Sequence, residues 1–139
     1  IIKTKRRYMP ELKQPVFKDI PLSFTAHPVT GNVKALVNRD AVKQSVKNIV
    51  LTNFYERPYS PNLGGNILSQ LFENMDSITQ YEISTNIRQA LDNYEPRAII
   101  DDIVTDFFED QNAINVTITF RVRNNSEPIS VNVLLDRVR

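Results

Sequence analysis

The chain has no cysteine, no tryptophan, one histidine and only three glycines in 139 residues. Without cysteine, neither a disulfide framework nor a thiolate metal site can form, and the absence fits a reducing compartment. The single histidine, His27, sits between Ala26 and Pro28 with no neighbouring ligand set for zinc. Gly64-Gly65 reads as a turn, and so few glycines leave no phosphate-cradling loop. No apolar run approaches the roughly 20 residues that span a bilayer. The basic start Lys3-Thr4-Lys5-Arg6-Arg7 lacks the apolar region of a signal peptide behind it. An excess of one charge is missing too. Seventeen basic against sixteen acidic residues leave a net charge of +1, which argues against a dedicated nucleic-acid binder. What is present, 41% hydrophobic and 24% charged residues, is the composition of a soluble globular domain. The length suits one domain that buries its core without staples.

Residues 1–30 differ from the rest. They hold four of the eight prolines, which oppose helix and central strand alike. They read as an extended N-terminal arm, with Phe17, Ile20, Leu22 and Phe24 as its anchors to this chain or a neighbour. Residues 31–139 read as a single domain. After a turn at Thr30-Gly31-Asn32, Val42, Val46, Ile49 and Val50 form one stripe of a helix from Asp40 to Leu51, with Asn38 as its cap. Lys43 and Lys47 fall on its solvated side. The segment from Thr52 to Gly65 contains two prolines and three aromatic rings, an ordered loop packed through Phe54, Tyr55 and Tyr59. A short helix follows, with Ile67, Leu68, Leu71, Phe72 and Met75 inward. Thr79-Gln80-Tyr81-Glu82 has capping-box spacing ahead of a second long helix.

That helix stops at Asn93-Tyr94-Glu95-Pro96-Arg97, because proline disfavours helix at the residue before it. In an extended corner, side chains two apart point the same way, so Glu95 and Arg97 are expected to project together. Thereafter the period changes to two. Ile99–Phe108, a strand centred on Val116–Val122, and Ile129–Val133 are separated by polar turns. Helices followed by an antiparallel meander imply α+β, with helices on one face of a sheet of about three strands. The last strand has a free edge unless Arg137 and Arg139 blunt it.

Phe17-Lys18-Asp19-Ile20, Ala41-Val42, Arg57-Pro58 with Pro61 and Gly64, Leu71-Phe72-Glu73-Asn74-Met75 and Asn93-Tyr94-Glu95-Pro96-Arg97 occur in one order. That order resembles the small baseplate wedge protein of contractile-tailed bacteriophages, the sheath-initiator family, with relatives in type VI secretion baseplates. The likeness runs over about residues 17–135, most of a domain. Tyr55 and Leu63 depart from the family's loop pattern, which commonly has glycine and an aromatic residue there. The resemblance implies a structural virion protein of the tail baseplate, assembled in the host cytoplasm, with no cofactor. Its implied partners are other wedge and core-bundle proteins, the tail sheath protein by strand addition, and tube-initiator proteins. It implies no nucleic acid, membrane or small-molecule substrate. Glu95, Pro96 and Arg97 are carried over as partner-binding residues, with Arg57, Pro58, Pro61 and Gly64 of the loop. On this reading Arg97→Glu leaves the domain folded and acts on docking alone.

Other readings stand beside it. Glu95 and Arg97 can form a surface pair worth roughly 0–1 kcal/mol. A lysozyme-like hydrolase needs two carboxylates, for which Glu73 with Glu95, or Asp101 with Asp102, are candidates. An acid held ionised by Arg97 suits that chemistry poorly. A nucleic-acid module rests on Lys3, Lys5, Arg6 and Arg7 and on the Arg121 and Arg123 face, and a steep salt dependence would reveal it.

Overall fold

A computed structural model of the chain describes residues 16–74, 76–108, 110, 112–123 and 125–136. Two short strands, β1 (Lys18–Asp19) and β2 (Leu36–Val37), precede helix α1 (Arg39–Leu51), the single-turn α2 (Ile67–Gln70) and α3 (Ser77–Tyr94). A meander of β3 (Ala98–Phe108), β4 (Ala113–Val122) and β5 (Asn125–Asp136) closes the domain, in spatial order β3-β4-β5. The α+β class and the three-strand sheet are as the sequence predicts.

The core lies between the helices and one face of the sheet. Val42, Val46, Ile49 and Val50 of α1 are buried, as their stripe requires. From α3, Ile83, Ile87 and Leu91 meet them. Central strand β4 supplies Ile114, Val116, Ile118 and Phe120, all fully buried. Ile118 lies between Ile103 and Val131, and Phe120 between Ile100 and Ile129, so inward residues align across all three strands. In β3 the sequence Ile100-Asp101-Asp102-Ile103 breaks strict alternation. A bulge there absorbs the extra residue, so both aspartates remain exposed while Ile100 and Ile103 face the core.

Several local expectations need correction. Asn38 does not cap α1. Its Oδ1 accepts the Phe17 N–H at 3.0 Å, and its own N–H donates to the Phe17 carbonyl at 2.7 Å. This exchange, with pairing of Lys18 to Val37 and Asp19 to Leu36, lays residues 16–19 along the domain. Of the four expected anchors only Phe17 packs on the core, while Ile20, Leu22 and Phe24 are exposed and Pro21 is buried. The cap of α3 is Asp76, whose carboxylate accepts the Thr79 N–H at 2.8 Å. That hydrogen bond leads the causes that hold the Asp76 carboxyl below its ordinary value. Thr79, the expected cap, is one turn inside the helix and donates to the Asn74 carbonyl at 2.7 Å. Phe72 is exposed rather than inward. Met75, Arg137, Arg139 and residues 1–15 lie outside the described residues.

Candidate functional site

Glu95 is buried because of helical phase. Ile83, Ile87, Leu91 and Glu95 are four apart, and the Glu95 N–H still donates to the Leu91 carbonyl at 2.8 Å. Its side chain therefore continues the apolar stripe facing α1 instead of leaving the surface. Pro96 has no N–H to extend the helix. The chain turns, and the Ala98 N–H closes onto the Glu95 carbonyl at 3.0 Å. The turn returns Arg97 across the carboxylate, with Nε at 2.5 Å from Oε1 and Nη2 at 2.6 Å from Oε2. Such a two-pronged pair is among the strongest side-chain hydrogen bonds.

The Glu95 side chain is 2% exposed and that of Arg97 31%. The expected pair projecting from a corner thus turns inward. Arg97 also lies over the Phe17 ring, 5.4 Å from its centre, and its carbonyl accepts the Arg123 N–H at 2.9 Å. One residue so joins the end of α3, the N-terminal segment and the end of β4. Burial pushes the Glu95 carboxyl upward, but hydrogen bonds from Arg97 and Ser45, with the Arg97 charge, outweigh it and the net shift is downward. Arg97 is held above its ordinary value, foremost by the same hydrogen bonds.

The loop after α1 owes its form to a close approach. Gly64 has φ +127°, and a Cβ there would lie 2.1 Å from the Thr52 carbonyl oxygen. Tyr55, itself at φ +66°, donates its N–H to the Pro61 carbonyl at 2.8 Å, and Ser60 donates to Arg57 at 3.1 Å. The Asn53 N–H and side-chain amide both donate to Glu56. Main-chain bonds, not packed rings, order this loop. Tyr55 is 81% and Tyr59 100% exposed, contrary to the expected packing. Arg57, Pro58 and Pro61 are exposed and Gly64 is buried beneath them. Arg57 shares a hollow of about 350 Å³ with Asp19, Ser45, Asn48 and Tyr94. Ser45, which also hydrogen-bonds Glu95, brings this hollow to the corner.

The remaining candidate groups are dispersed. Asp101 is held by Arg121 at 2.7–3.0 Å. Asp102 accepts the N–H of Ile103, and Glu73 is exposed after α2. His27 is a turn residue whose Nδ1 accepts the N–H groups of Val29 and Thr30. Among the described residues no three His, Cys, Asp or Glu side chains gather as metal ligands, and no helix is long and apolar enough to cross a membrane.

The chain forms an α+β domain with one internal charge lock, a rigid exposed loop and an open sheet, the make-up of an assembly subunit. The profile of the baseplate wedge protein gp25 family matches residues 37–127. The chain is 35% identical over 91 residues to baseplate wedge protein gp25 of Enterobacteria phage T4, covering 64% of this chain and 67% of that one. The chain belongs to this family of baseplate wedge proteins, and is a structural component of a contractile-tail baseplate in a phage or phage-like particle. Its fold is also that of a chain in the anti-feeding prophage baseplate, with TM-score 0.60 and 20% identity over 86% of this chain and 84% of that one. A tail-lysozyme candidate from Geobacter sulfurreducens shares the fold as well, with TM-score 0.63 and 21% identity over 70% and 89%.

Removing Arg97 leaves a buried carboxylate without its counter-charge. Arg97→Ala is expected to cost about 2–3 kcal/mol, below the ~3–5 kcal/mol of a fully buried pair because Arg97 is partly exposed. Arg97→Glu, which places two carboxylates at the corner, then reports folding as well as docking. The folded-state carboxyl titrates below its ordinary value, so its contribution is complete above about pH 4.3 and lost as pH falls through the folded value. Urea unfolding of Glu95→Gln is expected to show a shallower loss of stability in acid than the parent; parallel acid limbs would refute the lock. Gly64→Ala is expected to lower Tm and to expose the loop to limited proteolysis between Phe54 and Leu63, since the added Cβ meets a carbonyl rather than a movable side chain.

Proposed function

We propose that the chain is a non-catalytic assembly subunit that docks on the wedge core through its loop and corner, and initiates the sheath by accepting a strand at β5. The observation that carries this reading is the contrast between the two sheet edges. The β3 edge has the bulge at Asp101 and Asp102 and a further charge at Asp106, devices that blunt an edge. From Ile129 to Leu135, β5 has no charged residue and no register shift, whereas Glu127, Pro128 and a bulge are confined to its start. Among the described residues it pairs only with β4. Its outer side is thus free for strand addition, in which main-chain hydrogen bonds supply affinity.

On the wedge-core side, the exposed Arg57, Pro58, Tyr59 and Pro61 are held rigidly, so ordering them costs little on binding. Glu95, Pro96 and Arg97 serve this face by holding its frame, with Arg97 and the hollow around Arg57 as the reachable part. Tube-initiator proteins would meet the same face. Catalysis has no part in this reading, because a general acid needs a raised pKa and Glu95 is held ionised.

Placing glutamate at two exposed β5 positions, Ser130→Glu with Asn132→Glu, is expected to leave the domain folded and present in baseplates. Electron microscopy of assembled particles should then show baseplates without the first sheath ring. Normal sheath on baseplates containing the variant would refute strand acceptance at β5.

A further inference from the structure

The flank of α1 beside β5 is not simply solvated. Leu22, Leu36, Lys43, Lys47 and Leu51, with Ser130–Asn132, line a groove of about 880 Å³. One wall is helix, the floor is the open strand, and residues of the N-terminal segment close the other side. The Arg39–Glu127 pair, at 3.0 Å, ties the first turn of α1 to the start of β5. The Gln44 side chain ties Ile20 and Leu22 to the same helix, donating to the Ile20 carbonyl at 2.9 Å. Neither Lys43 nor Lys47 has an ion-pair partner among the described residues. Asp40 offsets one of the two charges at the groove's end.

Spacing gives these lysines a specific use. Residues four apart on a helix are separated by about 6 Å along its axis. Same-side residues of a strand are two apart, or about 6.6–6.8 Å. A strand that runs alongside α1 brings carboxylates at alternate positions into step with Lys43 and Lys47. Leu22, Leu36 and Leu51 offer apolar contact in the same groove. We infer that this groove selects an extended strand of a neighbouring protein bearing acidic residues two apart among apolar ones. The inference rests on strand acceptance at β5 and adds to it the side-chain chemistry of the incoming strand.

The test uses the full chain and three fluorescent ten-residue peptides of alternating apolar and polar residues. They carry Glu, Gln or Lys at the same two alternate positions, and binding is read by anisotropy at low and high salt. The Glu peptide is expected to bind about fivefold more tightly than the Gln peptide at low salt, as two exposed ion pairs allow. The Lys peptide should bind weakest, and the preference should shrink as salt rises. Lys43→Glu with Lys47→Glu is expected to invert the order. Equal binding of all three peptides, lost when their backbone amides are N-methylated at alternate residues, would overturn the lysine selection while leaving strand acceptance intact. No peptide binding at all would overturn both. Capture of an oligo-dT strand at the same lysines in preference to the Glu peptide would also overturn the assignment.

Discussion

A carboxylate that helical phase forces into the interior must be neutralised where it lies, and much of this domain is arranged around that requirement. Glu95, immediately after α3, occupies a position on the helix's inner stripe that an apolar residue would fill at no electrostatic cost. Once it is there, removing its partner is far more damaging than the pair itself is stabilising. Pro96 ends the helix, and the turn it permits returns Arg97 to the carboxylate. The same Arg97 lies over Phe17 and accepts from Arg123 through its carbonyl. The three-residue motif is thus a junction among helix, sheet and N-terminal segment. A hydrophobic substitute could fill the space but could not register these elements by direction, which is the use of a buried pair as a specificity device.

The loop depends on the same economy of conformation. Its frame is a glycine pressed on the Thr52 carbonyl and a set of main-chain turns, so its side chains are not needed to hold it together. Tyr55, Arg57, Pro58 and Tyr59 are therefore left outward on a rigid support. An isolated domain has no stabilising use for a fully exposed tyrosine at the tip of an ordered loop. An assembly subunit does, because large, stiff side chains lose little entropy when covered.

Periodicity made the sheet, the two long helices and their buried faces legible. The stripe of α1, the outward residues of β4 and the order of the meander all follow from spacings of 3.6 and 2. The direction of the Glu95–Arg97 pair was also present in the sequence, as the series Ile83, Ile87, Leu91, Glu95. It is overlooked when attention rests on the backbone of Glu95, which does leave helical geometry at φ −131°, ψ 68° while its N–H still closes the last helical hydrogen bond. Other features had no local signal. Asn38 keeps the N-cap position but turns its side chain to a contact 21 residues away; the Asp76 cap, by contrast, is a local pattern, an aspartate that accepts the N–H three residues on. Exposure of the loop rings is also non-local, since a proline-framed loop rich in aromatics reads equally well as packed or presented.

The two edges of the sheet carry the argument from fold to assembly. A domain selected only to remain monomeric has reason to blunt both. Here β3 is interrupted and acidic, and its outer Asp101 is further engaged by Arg121. Along β5 the uncharged run continues beside a helix flank that presents two lysines at the repeat of a strand. Blunting on one side directs association to the other, and a bounded groove limits what can add there and in which register. On the proposed reading, growth from a baseplate uses this asymmetry, because its subunits accept the next component without pairing among themselves.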